Sequence, residues 1–148
     1  MSDLVKAKIE DVEFQLSVER AIAQTLYEAM IIEYSVEDIK QSLANQKLQR
    51  IAIYGMGKVG KVIYELFKRN ELEVVYCIDL NKNIELNNVD LRHSIDDMTN
   101  DIDAVIVTPE MYFEEISEEI KKKVDCRILM ARDLLENILL LTEQLPQY

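Results

Sequence analysis

The chain has 148 residues, 49% of them hydrophobic, which suits one globular domain, or a small domain with an appendage, and excludes a disordered protein. Its 17 basic and 28 acidic side chains leave a formal net charge of −11, which repels phosphate backbones and argues against a nucleic-acid partner. No apolar run approaches the ~18 residues of a membrane span, the N-terminus lacks a signal-peptide pattern, and two distant cysteines (Cys77 and Cys126) with a lone histidine (His93) predict neither disulfides nor a metal site; a cytoplasmic protein is expected.

The first 47 residues contain no Gly and no Pro and read as helix. Val5, Ile9, Val12, Leu16, Ala23, Leu26 and Met30 recur at spacings of four and three around a polar Glu19, and Phe14, Val18 and Ile22 form a second stripe. A helix from about Asp3 to Glu33 is predicted. Ser35 with Asp38 three residues on resembles a capping box for a second, shorter helix through Ile39 and Leu43. A first helix ~45 Å long overhangs a domain of ~100 residues. Its two apolar stripes call for a partner, so residues 1–47 are read as an oligomerisation segment that makes a homodimer. The alternative is a helix folded back onto its own domain.

From residue 48 the pattern becomes an alternation of β-rich and helical runs. Strands are expected at Arg50–Tyr54, Glu73–Ile78, weakly at Val89–Arg92, Asp103–Val107 and Cys126–Met130. Helices are expected at Lys58–Arg69, as a Ser94-capped turn, at Glu110–Lys122 with Thr108 as cap and Pro109 in the first turn, and at Asp133–Leu145. Near-continuous Val/Ile strands separated by helices imply an α/β domain over 48–148: a Rossmann-like, doubly wound parallel sheet of about five strands.

Average usage would put about ten glycines in this length. There are three, and all lie in Gly55-Met56-Gly57-Lys58-Val59-Gly60, between the first strand and the helix after it. In a dinucleotide fingerprint the first glycine allows the tight turn, the second lets the backbone approach a pyrophosphate and the third lets the helix pack closely. Helix-start amides face the phosphates, with Lys58 and Lys61 nearby. Residues 50–100 are almost neutral (−1), between flanks of −4 and −6, as suits a site that tolerates an anion. Asp79 ends the second strand nineteen residues after Gly60, where it can accept hydrogen bonds from both ribose hydroxyls and would repel a 2′-phosphate. NAD(H) is therefore expected over NADP(H), with Lys82 close enough to complicate the choice. The expected cofactor-binding set is Gly55, Met56, Gly57, Lys58, Val59, Gly60, Asp79 and Thr108.

The stretch from Ile51 to about Leu135 resembles the small NAD(P)-binding Rossmann-like domains of bacterial nucleotide-sugar and surface-polysaccharide biosynthesis proteins. The resemblance rests on Tyr54-Gly55-Met56-Gly57 after the first strand, Asp79-Leu80-Asn81 after the second and Thr108-Pro109 after a later one, which lines the cleft in those proteins. They usually carry a catalytic region beyond this domain, and none is expected to fit within these 148 residues. The resemblance thus implies binding rather than a reaction: a subunit, sensor or remnant of a larger oxidoreductase.

Catalytic groups are scarce. Tyr64 and Lys68 have the Tyr-x-x-x-Lys spacing of short-chain dehydrogenases but lie on the helix after the glycines, where the match reads as coincidence. His93 reads as a surface or turn residue, Asp96 and Asp97 as helix-start acids, and Cys77 and Cys126 as structural thiols. The leading expectation is a NAD(H)-binding module without chemistry of its own. The alternatives are a small oxidoreductase completed across a dimer, an S-adenosylmethionine-dependent methyltransferase (disfavoured because Ile53 and Tyr54, not an acid, precede Gly55), and an oligomer-forming scaffold with an empty cleft.

Overall fold

Four consecutive residues of Ala104–Val107 are fully enclosed, which a strand achieves only when both faces of its sheet are covered. In a computed structural model of the protein, residues 2–35 and 39–141 are described. They supply that cover with helices α1 (Asp3–Ser35), α2 (Ile39–Asn45), α3 (Lys58–Arg69), α4 (Phe113–Lys121) and α5 (Ala131–Leu141). The strands are β1 (Arg50–Tyr54), β2 (Glu73–Ile78), β3 (Leu91–Arg92), β4 (Ala104–Val107) and β5 (Arg127–Met130).

The strands form one parallel sheet in the order β3-β2-β1-β4-β5, the arrangement of a Rossmann-like doubly wound fold, whose order reverses beside β1. Alternate residues of each strand serve opposite faces. Ile51 and Ile53 of β1 join the core shared with α1, α3 and α5, whereas Ala52 and Tyr54 join the core shared with α4. The register pairs Tyr54 with both Ile78 and Val107. Gly55, Asp79 and Thr108, each one residue further on, therefore emerge side by side at the sheet's carboxyl edge.

α1 runs for 33 residues, ~50 Å at 1.5 Å per residue, and its two halves differ. From Leu4 to Leu16 it is exposed along its length. Further on, Thr25, Ala29 and Ile32 are buried against the domain, and Ile22 and Leu26 pack against the same core. The buried face thus extends the Phe14–Val18–Ile22 stripe. The longer stripe stays open at Val5, Ile9, Val12, Leu16, Ala23 and Met30. The helix both folds back onto its own domain and leaves an apolar face uncovered. The Ser35–Asp38 cap falls outside the described residues and side chains.

Several boundaries depart from expectation: β3 begins at Leu91 rather than Val89 and β5 at Arg127 rather than Cys126. Thr108 does not cap a helix: its hydroxyl donates towards the carbonyls of Gly55 (2.7 Å) and Tyr54 (3.1 Å). Pro109, at φ −72° and ψ 87°, instead precedes a short 3-10 turn at Glu110–Tyr112, and α4 starts only at Phe113. α5 follows β5 directly, at Ala131 rather than Asp133. Asp103 stands just ahead of β4, where its carboxylate accepts from the amides of Gln49 (3.0 Å) and Arg50 (2.9 Å).

Candidate functional site

The corner between β1 and α3 assigns its three glycines different tasks. Gly55 has φ +93°, and a Cβ there would meet Thr108 Oγ1 and Pro109 Cδ. A Cβ at Gly60 would run into the Gly55 carbonyl oxygen. Both residues are glycine because the chain's own atoms leave no room. Gly57 is different. Its φ of −77° suits any residue, and a Cβ built on it finds nothing within 4 Å. Nothing in the fold requires a glycine there.

Gly57 is the N-cap of α3, and no side chain caps the helix. The amides of Lys58 and Val59 have no intrahelical acceptor by their position in the first turn, and the positive end of the helix dipole points the same way. Lys58 is exposed beside them and makes no ion pair among the described residues. Met56 and Gly60 do not face outward: the Met56 side chain lies fully in the core and Gly60 is buried beneath the loop.

Asp79 is half-buried and ties the corner together. Oδ2 accepts from the Met56 amide at 2.7 Å and Oδ1 from the Asn81 amide at 2.8 Å. The Gly55 amide donates to the Ile78 carbonyl (2.8 Å), so two loop amides are satisfied internally, whereas those at the start of α3 remain open. Each carboxylate oxygen keeps a second acceptor position. His93 Nδ1 lies 2.8 Å from the Asp79 backbone oxygen; because a carbonyl only accepts, Nδ1 carries the proton. The histidine is a brace behind Asp79.

A cavity of about 250 Å³ opens at this corner. Its floor is Gly55, Gly57, Lys58, Val59 and Asp79, and one side is Thr108–Tyr112. The opposite wall is α1, through Val18, Ala21, Ile22 and Thr25. A second cavity of about 400 Å³ lies on the α4 side and shares Gly55, Asp79, Pro109 and Tyr112 with the first. The two are lobes of one cleft at the point where the strand order reverses. Glu110, in the first lobe, is held by Arg132 of α5 at 3.0 Å.

Six of the expected residues meet in the first lobe: Gly55, Gly57, Lys58, Val59, Asp79 and Thr108. The α1 wall was hidden in the sequence, although the Phe14–Val18–Ile22 stripe was its trace; Phe14 itself packs edge-on against Tyr112, with ring centroids 6.2 Å apart. Tyr64 and Lys68 interact with each other on α3, the ammonium 5.6 Å from the ring centroid. Burial pushes the Cys77 thiol up to about 12, with Asp90 adding to the effect, and burial also raises Cys126, which keeps both thiols protonated. Ser94 Oγ accepts from the Asp96 amide and so caps the 3-10 turn Ile95–Asp97.

The family described as C2185-like, N-terminal, matches residues 47–128, more than half of the chain. The chain belongs to the C2185-like N-terminal family. The matched stretch runs from just before β1 into β5, so the C2185-like region contains the whole glycine corner together with Asp79 and Thr108, and leaves α1 outside. No curated protein and no solved structure matches the chain. Among the described residues of this C2185-like protein, no helix is long and apolar enough to cross a membrane.

Proposed function

We propose that the chain is a nucleotide-binding module whose ligand is a dinucleotide, NAD(H) before NADP(H), held at the β1–α3 corner. The observation that carries this reading is Gly57. Ordinary backbone angles and empty space around its missing Cβ leave the fold no reason for a glycine. A ligand that touches the backbone there supplies one, because a pyrophosphate needs that space. The open amides of the α3 N-terminus and Lys58, which has no ion pair among the described residues, suit its charge. Ligand pockets commonly span about 300–1,000 Å³, and two lobes meeting at the corner suit two nucleosides joined by a diphosphate. Asp79 retains acceptor positions for ribose hydroxyls, and its negative charge disfavours a 2′-phosphate.

The exposed stripe on the first half of α1 supports a homodimer through that helix. A role beside nucleotide-sugar or surface-polysaccharide chemistry rests on the resemblance alone.

Thermal or chemical unfolding with NAD⁺, NADH or NADP⁺ added separately tests the reading. A ligand at 100 times its Kd should stabilise the protein by about 2.7 kcal/mol. No stabilisation by any of the three, at concentrations that saturate ordinary dinucleotide sites, would overturn it. Gly57→Val should abolish the effect while the protein stays folded.

A further inference from the structure

Tyr54 closes β1 with its residue 94% buried, at a relative exposure of 6%. Its hydroxyl nevertheless makes no hydrogen bond among the described residues, although it is not sealed from solvent. Among the described residues the buried phenol with which to compare it is Tyr76, on β2, whose hydroxyl donates to the Thr99 carbonyl (2.8 Å) and accepts from the Thr99 amide (3.2 Å). A buried tyrosine hydroxyl ordinarily finds such a partner; Tyr54 instead lines the second lobe of the cleft.

The remaining groups of that lobe restrict what can enter. Its other polar side chains are the carboxylates of Asp79 and Glu115 and the phenol of Tyr112, and no cation lines it. Two carboxylates repel a phosphate but accept hydrogen bonds from neutral hydroxyls. Leu80, Tyr112 and Ile116 provide apolar surface beside them, which suits the carbon face of a sugar ring. Burial first, and then the Asp79 charge, raise the Tyr54 phenol above its usual range, so it stays protonated and able to donate.

We infer that the second lobe is a subsite for a neutral, hydroxyl-rich sugar ring attached to the phosphates at the corner, and that Tyr54 is the ligand-contacting donor within it. This rests on the nucleotide reading and adds the chemistry of one half of the cleft.

Titration calorimetry with inorganic pyrophosphate, ADP-ribose and NAD⁺ tests it, on the wild type and on Tyr54→Phe. The variant keeps the buried ring, and its stability should be unchanged because the hydroxyl has no hydrogen-bond partner among the described residues. ADP-ribose and NAD⁺ should each bind about 3- to 10-fold more weakly, the worth of one hydrogen bond, and pyrophosphate should bind as before. Glu115→Gln, on the exposed side of α4, should give the same pattern with a smaller loss, and serves if Tyr54→Phe folds poorly. Undiminished binding of ADP-ribose and NAD⁺ to the variants, or an equal loss for pyrophosphate, would overturn the subsite and leave the nucleotide reading standing. A wild type that binds none of the three ligands would overturn both.

Discussion

The β1–α3 corner and helix α1 face each other across the first lobe, yet they are specified in opposite ways. At the corner two of the three glycines answer to atoms close at hand: Gly60 to the carbonyl of Gly55, and Gly55 to its positive φ and to Thr108. In α1 the same helix carries two apolar stripes, and local geometry favours neither. Only the presence of the domain decides that Ala29 and Ile32 are buried while Val5 and Val12 are bare. The corner is a local solution and α1 a tertiary one.

That contrast can be tested. Gly60→Ala should be the most damaging substitution, because backbone has to move to admit the methyl group; a loss of at least about 3 kcal/mol is expected in urea unfolding. Gly57→Ala, three residues away, should cost less than about 1 kcal/mol, as a change of N-cap alone. Comparable losses at the two positions would mean that the corner does not divide its glycines as described. In α1, Ile32→Ala should lose about 3 kcal/mol, whereas Leu16→Ala should stay within about 0.5 kcal/mol. A double change, Val5→Glu with Val12→Glu, should leave monomer stability nearly intact and abolish self-association in sedimentation, if the bare stripe is a dimer face. Asp79→Asn keeps an acceptor for the Met56 amide and removes the charge. It should narrow the proposed preference for NAD⁺ over NADP⁺ by about tenfold or less, measured as a ratio of affinities.

The smallest effect concerns Glu28, a buried acid of α1. Burial raises its carboxyl above the usual range, as does the neighbouring Glu136, against opposing contributions from Gln24 and Arg132. Below the ordinary carboxylate range Glu28 is protonated in both folded and unfolded chains and costs nothing. As pH rises from that range through the raised folded value, the unfolded chain ionises first and stability falls. Glu28→Gln should therefore be more stable than wild type at neutral pH, with the gain vanishing in acid. A gain that persists in acid would assign the effect to packing.

Much of the sheet was legible because its signals are local. The runs Arg50–Tyr54 and Glu73–Ile78 are bounded by clear breaks, and both strands lie where the hydrophobic pattern puts them. The site was legible only where one residue type has one use, as with the clustered glycines and Asp79. Thr108 misled because Thr-Pro-Glu is a good helix start in isolation. In the fold, the carbonyls of Tyr54 and Gly55 come within reach of its hydroxyl from more than fifty residues away. That the hydroxyl of Tyr54 has no partner among the described residues could not be read at all, since it is a property of everything packed around it.

Periodicity and glycine placement were sufficient to specify a parallel α/β domain and a bare turn ahead of α3, since a strand's alternation and a steric demand for no side chain are written into adjacent residues. Which stripe of α1 is covered, that this helix walls the cleft, and that the cleft has two lobes of different chemistry were decided by packing. Those features join residues such as Val18, Gly57, Asp79 and Glu115, which no local rule connects and only the closing of the sheet under its helices brings together.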